Sequence, residues 1–386
     1  RSSGPRSSRS VSEVAFMLAM NPTLLVGPAD WNAARMPKAE FVARADALWR
    51  DLPSATGVIV YGDRANHAEL AYLTNFTPKL EAALALIPRD GSPQLLVGGG
   101  VNMLPAARPL TFIEDLRPLR NVGKTVAEWA RAHGGGAPVL IGSAFMPCGL
   151  HQEIAAALAS AVKDKTAELR RLMGRKSARE LALLREACAT LDATVAAMRA
   201  AQGSGAGATA AVLAGEQAAN RRGAQDIRTL FSLDGGRTLR PFEALVERAI
   251  DPLQVYVAVR QLGYWAEGFA VLATSPQPCA ERAGNVLRGA VARMQAGERC
   301  GEIAGGIAQA GHPPHPVTAR LAGNAIGLAI EEHPLIAPGC EARIEPGGVY
   351  GLRVGLSDER GHAIVSAMVA VHGQGNEVLW SSPEAA

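Results

Sequence analysis

Apolar and polar residues follow two different periods along the first part of the chain. Residues 37–51 repeat apolar positions at helical spacing, which predicts an amphipathic helix. Short apolar runs bounded by turn residues such as R-D-G-S-P predict buried strands. We predict strands at residues 57–62, 71–76, 83–88, 94–98, 110–114 and 138–142, and further helices at 122–133 and 150–161. This mixture predicts an α/β domain at about residues 30–165.

The pattern changes in the second part of the chain. Residues 176–201 predict a long helix whose start carries a capping box, with Ser177 as N-cap and Glu180 three positions later. The glycine-rich residues 203–207 follow this helix and not a strand, which favours a linker over a phosphate-binding loop. We predict helices at residues 208–222, 279–296 and 300–310, and strands at 229–233, 254–260, 264–274, 326–330, 348–354 and 363–371. The sheet is expected to be mostly antiparallel, in an α+β domain at about residues 170–386.

Composition narrows the class of protein. The chain has 386 residues and a net charge of +3, and only 5% of its residues are aromatic. Neither value favours a nucleic acid or a membrane as partner. Five scattered cysteines form no disulfide or zinc pattern, so we expect a cytoplasmic protein. Residues 1–29, which begin Arg/Ser-rich, are predicted to be a partly disordered leader.

Five motifs in register carry a resemblance to a known family. They are Y-L-T-N-F at Tyr72, K-S-A-R-E-L-A-L-L-R-E-A at Lys176, G-Y-W-A-E at Gly263, G-N-A-I-G-L-A-I-E-E-H-P at Gly323 and I-E-P-G-G-V-Y at Ile344. In order and spacing they resemble the creatinase/Xaa-Pro aminopeptidase family over about residues 40–380. The resemblance implies a ribonuclease-H-like N-terminal domain, a C-terminal pita-bread domain and a homodimer.

The resemblance also implies a site whose metal ligands have been exchanged. Metal-dependent members bind two divalent ions with two Asp, one His and two Glu, whose anionic oxygens neutralise the ions. Their Asp positions correspond to Tyr256 and Glu267, and the His position to Asn324. The first Glu position corresponds to Arg353, and the last falls on or near Val365. One carboxylate of five remains.

Arg353 argues against a metal in this alignment. At an effective dielectric near 20, a unit charge and a divalent ion of like sign about 4 Å apart repel by about 8 kcal/mol. We therefore predict no metal and no other cofactor, and expect the pocket to suit a small anionic substrate. Two histidines that move protons in the family correspond to Phe242 and Glu331. Creatinase works without metal and shares the Tyr at position 256, but it uses a histidine where this chain has Phe242, so creatine hydrolysis is not expected.

The remaining polar residues define a candidate site. The predicted catalytic residues are Tyr256, Glu267, Glu331 and Glu332, and the predicted substrate-binding residues are Arg353, Asn324, Phe242, Arg240 and His333. Two interpretations of Arg353 stay open. It forms a structural salt bridge with Glu267 or Glu331, or it grips a substrate carboxylate in bidentate fashion. In the second case Tyr256 or a Glu of raised pKa serves as general acid or base.

Three functions follow from these alternatives. The first is a metal-independent enzyme that acts on a small carboxylate-bearing amide or amidino substrate by hydrolysis, elimination or cyclisation. The second is a catalytically silent homologue that binds a ligand or partner. The third is an Xaa-Pro-type metallopeptidase whose ligands are misaligned here.

Overall fold

The computed structural model describes residues 30–133, 137–158, 162–359 and 361–383. The predicted leader lies outside the described residues, as does the end of the helix predicted at 150–161. Contacts divide the chain into two compact units. Asp30–Ala33 and Pro37–Thr166 belong to the first, and Ala34–Met36 and the chain from Ala167 onward belong to the second.

The first unit is built on a five-stranded mixed sheet in the order β4-β3-β2-β1-β5. The strands are β1 Gly57–Gly62, β2 Ala83–Pro88, β3 Gln94–Val97, β4 Asp115–Pro118 and β5 Val139–Ile141. Its helices are α1 Lys38–Asp51, α2 Ala68–Thr74, α3 Leu104–Ala107, α4 Val122–Ala132 and α5 Cys148–Leu158, with 3-10 turns at Val101–Met103, Arg108–Leu110 and Ser143–Phe145. One core cluster joins apolar residues of β1, β2, β3 and β5 to α4 and α5, so these helices cover one face of the sheet.

Two strands predicted in this unit are wrong. Residues 71–76 lie mostly in helix α2, which ends at Asn75 in the left-handed conformation with φ 60°. A short apolar run does not distinguish a buried strand from a buried helix, and the Ala, Glu and Leu residues that open α2 are good helix formers. Residues 110–114 precede strand β4, which starts at Asp115. The strands predicted at 57–62 and 83–88 are confirmed.

The second unit has two antiparallel sheets. The three-stranded sheet has the order β6-β7-β8, and the five-stranded sheet the order β10-β9-β11-β12-β13. The strands are β6 Asp226–Phe231, β7 Leu253–Gln261, β8 Tyr264–Leu272, β9 Gly323–Ala325, β10 Glu332–Ile336, β11 Val349–Asp358, β12 Gly361–Val371 and β13 Asn376–Ser381. The helices are α6 Thr166–Met173, α7 Ala178–Gly203, α8 Ala208–Arg221, α9 Pro278–Ala292 and α10 Cys300–Ala310. The helix predicted at 300–310 is confirmed, whereas the strand predicted at 326–330 is wrong because β9 ends at Ala325.

Contacts identify the two faces of the three-stranded sheet. On the three-stranded sheet, Thr229 hydrogen-bonds Glu216 of α8 and so marks the helix-facing side. Successive side chains of a strand point to opposite faces. Leu230, its partner Tyr256 on β7 and, beyond Tyr256, Phe269 on β8 therefore share the other face.

Side-chain hydrogen bonds join the two sheets. The buried amide of Gln254 on β7 accepts from the Ile364 nitrogen at 2.8 Å and donates to the Ile364 oxygen at 3.0 Å. The Phe269 nitrogen donates to the Ser366 hydroxyl at 2.7 Å. Strands β8 and β12 are thus fixed against each other, and this positions residues of both sheets in one site.

Helix α7 begins with the predicted capping box, which is confirmed. Ser177 Oγ accepts from the Glu180 nitrogen, and the Glu180 carboxylate accepts from the Ser177 nitrogen. Replacing Ser177 with Ala removes one of these two bonds, so we expect Ser177→Ala to lower the free energy of unfolding by about 1 kcal/mol. Urea denaturation measures it. Ser204→Ala, at the exposed other end of α7, is the matched control and should change stability by less than half as much.

Candidate functional site

Tyr256 and Glu267 form the first contact of the site. Glu267 lies opposite Ala258 on the β7–β8 ladder, two positions from Tyr256, so the two side chains are diagonal neighbours on one face. The Tyr256 hydroxyl donates a hydrogen bond of 2.8 Å to Glu267 Oε2. Phe269 packs against the tyrosine ring at a centroid distance of 4.7 Å, which fixes the ring beside the carboxylate.

Arg353 and Asn324 complete the group from the other sheet. Arg353 Nη1 lies 4.0 Å from Glu267 Oε1, at the outer limit of an ion pair. Its Nη2 donates to Asn324 Oδ1 at 2.5 Å. The Asn324 amide nitrogen donates to the Ile330 oxygen at 2.9 Å, which fixes the orientation of the amide. The structure therefore brings together four predicted site residues from four strands.

The guanidinium of Arg353 is incompletely bonded. Its Nε is buried and has no hydrogen-bond partner among the described residues. A buried polar group without a partner costs free energy, so such a donor is expected to meet water or a ligand. The side chain is 14% exposed, which keeps it within reach of solvent.

Burial sets the protonation of the two acidic groups. The pKa of Glu267 is raised because the carboxyl is buried, although Arg353 and the Tyr256 hydroxyl oppose this effect and the Glu331 charge adds to it. Burial and the adjacent Glu267 raise the pKa of Tyr256 as well. Tyr256 is thus a hydrogen-bond donor at neutral pH, and Glu267 takes up a proton more readily than an exposed glutamate does.

A glycine permits the close approach of β11 to this carboxylate. A methyl group added at Gly351 would lie 3.0 Å from Glu267 Oε1. Gly351 is paired with Asn324 on β9, so a side chain there would push apart the two sides of the site. The glycine at position 351 therefore has a packing reason.

Glu332 is engaged in a buried ion pair. Its carboxylate accepts from Lys176 Nζ at 2.6 Å, and the two side chains are 8% and 2% exposed. It also accepts from the Leu328 nitrogen at 2.8 Å. Lys176 in turn donates to the Met173 oxygen. Through these contacts Glu332 connects the segment after β9 to the start of α7, which is a structural role. They give its predicted catalytic role no support.

The other four predicted residues lie at or near the surface. Glu331 and His333 are exposed, and Glu331 is close enough to raise the pKa of Glu267. Phe242 is 38% exposed and packs on Phe231, which points to the helix-facing side of β6. Arg240 is exposed and lies 3.5 Å from Glu243. Their substrate-binding or catalytic roles stay predictions, and the contacts of Phe242 argue against its role.

Val365, on or near which the last ligand position is predicted to fall, lies on the opposite face of the ladder from Arg353. This residue packs in the core cluster under α9 and α10. The residue directly opposite Arg353 on the β11–β12 ladder is Ser366, so Ser366 shares the face of Arg353. The ladder register, which the sequence does not reveal, decides between these neighbours.

The donor set does not fit a pair of divalent ions. The corresponding positions carry one carboxylate of raised pKa, a phenol, an amide, a serine hydroxyl and a guanidinium. Hard divalent cations require several anionic oxygens, and Arg353 repels them. Within the described ranges, no three His, Cys, Asp or Glu residues are grouped in a way that could hold a metal ion.

Solved structures share the architecture of this chain. A dipeptidase from Mycobacterium ulcerans matches with a TM-score of 0.72 and 19% identity over 91% of this chain and 98% of its own. A prolidase from Pyrococcus horikoshii matches with a TM-score of 0.71 and 16% identity over 89% and 99%. An X-Pro aminopeptidase from Thermotoga maritima matches with a TM-score of 0.74 and 14% identity over 89% and 98%.

These matches establish the fold. The predicted class, an α/β N-terminal domain followed by an α+β pita-bread domain, is confirmed. No protein-family model and no curated protein sequence matches the chain. Within the described part of the chain, every helix is too short or too polar to cross a membrane.

The raised pKa of Glu267 predicts a pH-dependent stability. Unfolded glutamate has a pKa of about 4.3. Because the folded pKa is higher, the folded state binds the proton more tightly between the two values, and stability falls as pH rises through that window. We expect Glu267→Gln to abolish this loss, measured as the urea midpoint at pH 5 and pH 8. The exposed Glu247→Gln should retain the wild-type pH dependence; an unchanged dependence in Glu267→Gln would contradict the assignment.

The Lys176–Glu332 pair is expected to be important for stability. Removing one partner of a buried pair leaves an uncompensated charge, so Lys176→Met should lower the free energy of unfolding by about 3 kcal/mol. Arg185→Met, which breaks an exposed 2.7 Å pair with Glu377, should cost less than about 1 kcal/mol. Chemical denaturation of both variants provides the comparison, and equal losses would show that the burial of the first pair is energetically unimportant.

Proposed function

We propose that this protein is a metal-independent enzyme that acts on a small carboxylate-bearing amide or amidino substrate, by hydrolysis, elimination or cyclisation, in a pocket built around Arg353. The single observation that carries the proposal is the state of the guanidinium. One nitrogen is fixed by Asn324 while the buried Nε lacks a partner among the described residues. This pre-oriented donor suits an anion, and a carboxylate is the anion that a guanidinium edge binds in bidentate fashion.

The neighbours of Arg353 supply groups for proton transfer. A carboxylate substrate on Arg353 places its adjacent amide or amidine close to Glu267, which lies 4.0 Å from the guanidinium. With its pKa raised by burial, Glu267 is a stronger base than an ordinary carboxylate and accepts a proton from water or from the substrate. Tyr256 keeps its proton and donates to Glu267, which orients that carboxylate and stabilises its charged form.

The comparisons favour hydrolysis among the three reaction types. The similar structures are named as a dipeptidase, a prolidase and an X-Pro aminopeptidase, all of which are peptidases. The amide bond is accordingly the first bond to test.

The two alternatives have less support. A silent homologue would be favoured by a guanidinium closed tightly on Glu267, whereas the 4.0 Å separation leaves the pair loose. A metallopeptidase with ligands elsewhere would need another group of acidic and histidine residues, and none occurs among the described residues.

A chelator experiment tests the proposal. Protein treated with EDTA, and analysed for residual Mn, Co and Zn, is incubated with dipeptides, N-acyl amino acids and guanidino acids, and released amine or ammonia is measured. We expect turnover of at least one substrate without added metal. Arg353→Gln should lower kcat/KM about 100-fold through the lost carboxylate contact, and Glu267→Gln should lower kcat at least 100-fold.

The controls separate these roles from general damage. Arg320→Gln replaces an exposed arginine of the same unit and should leave kcat/KM unchanged. Tyr256→Phe should lower kcat with little change in KM. Activity that appears only after Mn, Co or Zn is restored would refute metal independence, and full activity of Arg353→Gln would refute the assigned role of Arg353.

A further inference from the structure

Arg228 lies on the same sheet face as the proposed site and has no assigned role. On the ladders of the three-stranded sheet, Arg228 pairs with Ala258, and Ala258 pairs with Glu267. The three residues form one row across the strands, with their side chains on one face. Two strand spacings separate the Cα atoms of Arg228 and Glu267 by about 10 Å. Only the methyl group of Ala258, itself buried, lies between them in this row.

The guanidinium of Arg228 is held by an aromatic ring. It stacks over Trp265 with 4.8 Å between the guanidinium carbon and the ring centroid. The tryptophan is 3% exposed, whereas the Arg228 side chain is 60% exposed. Stacking uses the face of the guanidinium and leaves its N–H groups, which point outward in the plane, available for an acceptor.

The Asp226 carboxylate near Arg228 does not satisfy the hydrogen-bond donors of its guanidinium. Asp226 Oδ2 lies 3.6 Å from Arg228 Nη2, beyond hydrogen-bonding distance. Asp226 also faces Arg260, its partner on the ladder, whose Nε donates to the Gly263 oxygen and which is buried. The single carboxylate of Asp226 thus lies near two arginines, Arg228 and Arg260.

The balance of charge along this face is therefore positive. Arg228 and Arg260 of this face, together with Arg353 from the other sheet, meet Asp226, the exposed Glu331 and a Glu267 whose burial favours its neutral form. The charges of Arg228 and Arg353 both oppose the rise in the pKa of Tyr256, so both cations are near enough to act on its hydroxyl. Arg260 is engaged within the protein, whereas Arg228 on this face and Arg353 on the facing sheet, among the described residues, keep donors for an acceptor.

We propose that Arg228 is a second anion-binding residue of this site, and that the substrate is a derivative of a small dicarboxylic acid with one carboxylate on Arg353 and the other on Arg228. The inference rests on the proposed function, since it requires the first carboxylate to bind Arg353. It narrows the substrate class from carboxylate-bearing amides to those with a second acidic group a few carbon atoms away. Arg228 then determines specificity and has no part in bond cleavage.

Binding of simple acids tests this inference without knowledge of the substrate. Isothermal titration calorimetry at low ionic strength compares butyrate with succinate, glutarate and adipate on the full chain. We expect at least one dicarboxylate to bind wild-type protein about fivefold more tightly than butyrate. Arg228→Gln should reduce the dicarboxylate affinity to the level of butyrate while butyrate binding stays unchanged. Arg228→Lys keeps the charge but not the planar guanidinium, so its dicarboxylate affinity should lie between those of the wild type and Arg228→Gln. Arg353→Gln should abolish binding of all four acids.

The outcomes distinguish the two proposals. Arg221→Gln, at the exposed end of helix α8, is the matched control and should bind like the wild type. Butyrate binding without any preference for a dicarboxylate, or a preference that survives Arg228→Gln, overturns the role of Arg228 and leaves the Arg353 site standing. If none of the acids binds wild-type protein, the carboxylate site itself is refuted, and both proposals fail.

Discussion

The interaction on which the site depends is that of a mostly buried arginine with a buried carboxyl group of raised pKa. A charge inside a protein must be paired or solvated, and Arg353 is neither fully paired nor fully solvated. Asn324 bonds one nitrogen, Glu267 lies 4.0 Å from another, and Nε has no partner among the described residues. Every further property follows from this arrangement, because an incompletely paired guanidinium repels a cation beside it and attracts an anion.

The fold brings together residues of this arrangement that are far apart in the sequence. Glu267 and Arg353 belong to different sheets, and their approach requires that β8 and β12 keep a fixed register. The buried amide of Gln254 and the hydroxyl of Ser366 provide it, since each bonds backbone atoms of the opposite sheet. The absence of a side chain at Gly351 then allows β11 to approach the carboxylate. Packing constraints, and not the polar residues alone, determine the geometry of the site.

The sequence predicted what local pattern and motif spacing determine. The capping box at Ser177 and the helix at Cys300–Ala310 follow from local chemistry. Counting within the motifs named four candidate residues that the structure groups. The strand prediction at residues 71–76 is wrong because a short, mostly apolar segment is compatible with both helix and strand. Three features depend on strand register and long-range pairing, which cannot be deduced from a single sequence. They are the position of Ser366, and not Val365, opposite Arg353, the Lys176–Glu332 pair, and the row from Arg228 to Glu267.

For electrostatic reasons, a site of this kind suits either a pair of metal ions or an anion, but not both. Two divalent ions require several carboxylates, and an arginine among them would pair with those carboxylates and repel the ions. Once an arginine occupies the position of Arg353, each additional carboxylate would neutralise it and remove its capacity to bind a substrate anion. A single buried carboxyl group, whose own charge is disfavoured by burial, is compatible with an arginine that is only partly paired. The proposed exchange of several ligands at once is therefore the expected physical counterpart of one cation on this scaffold.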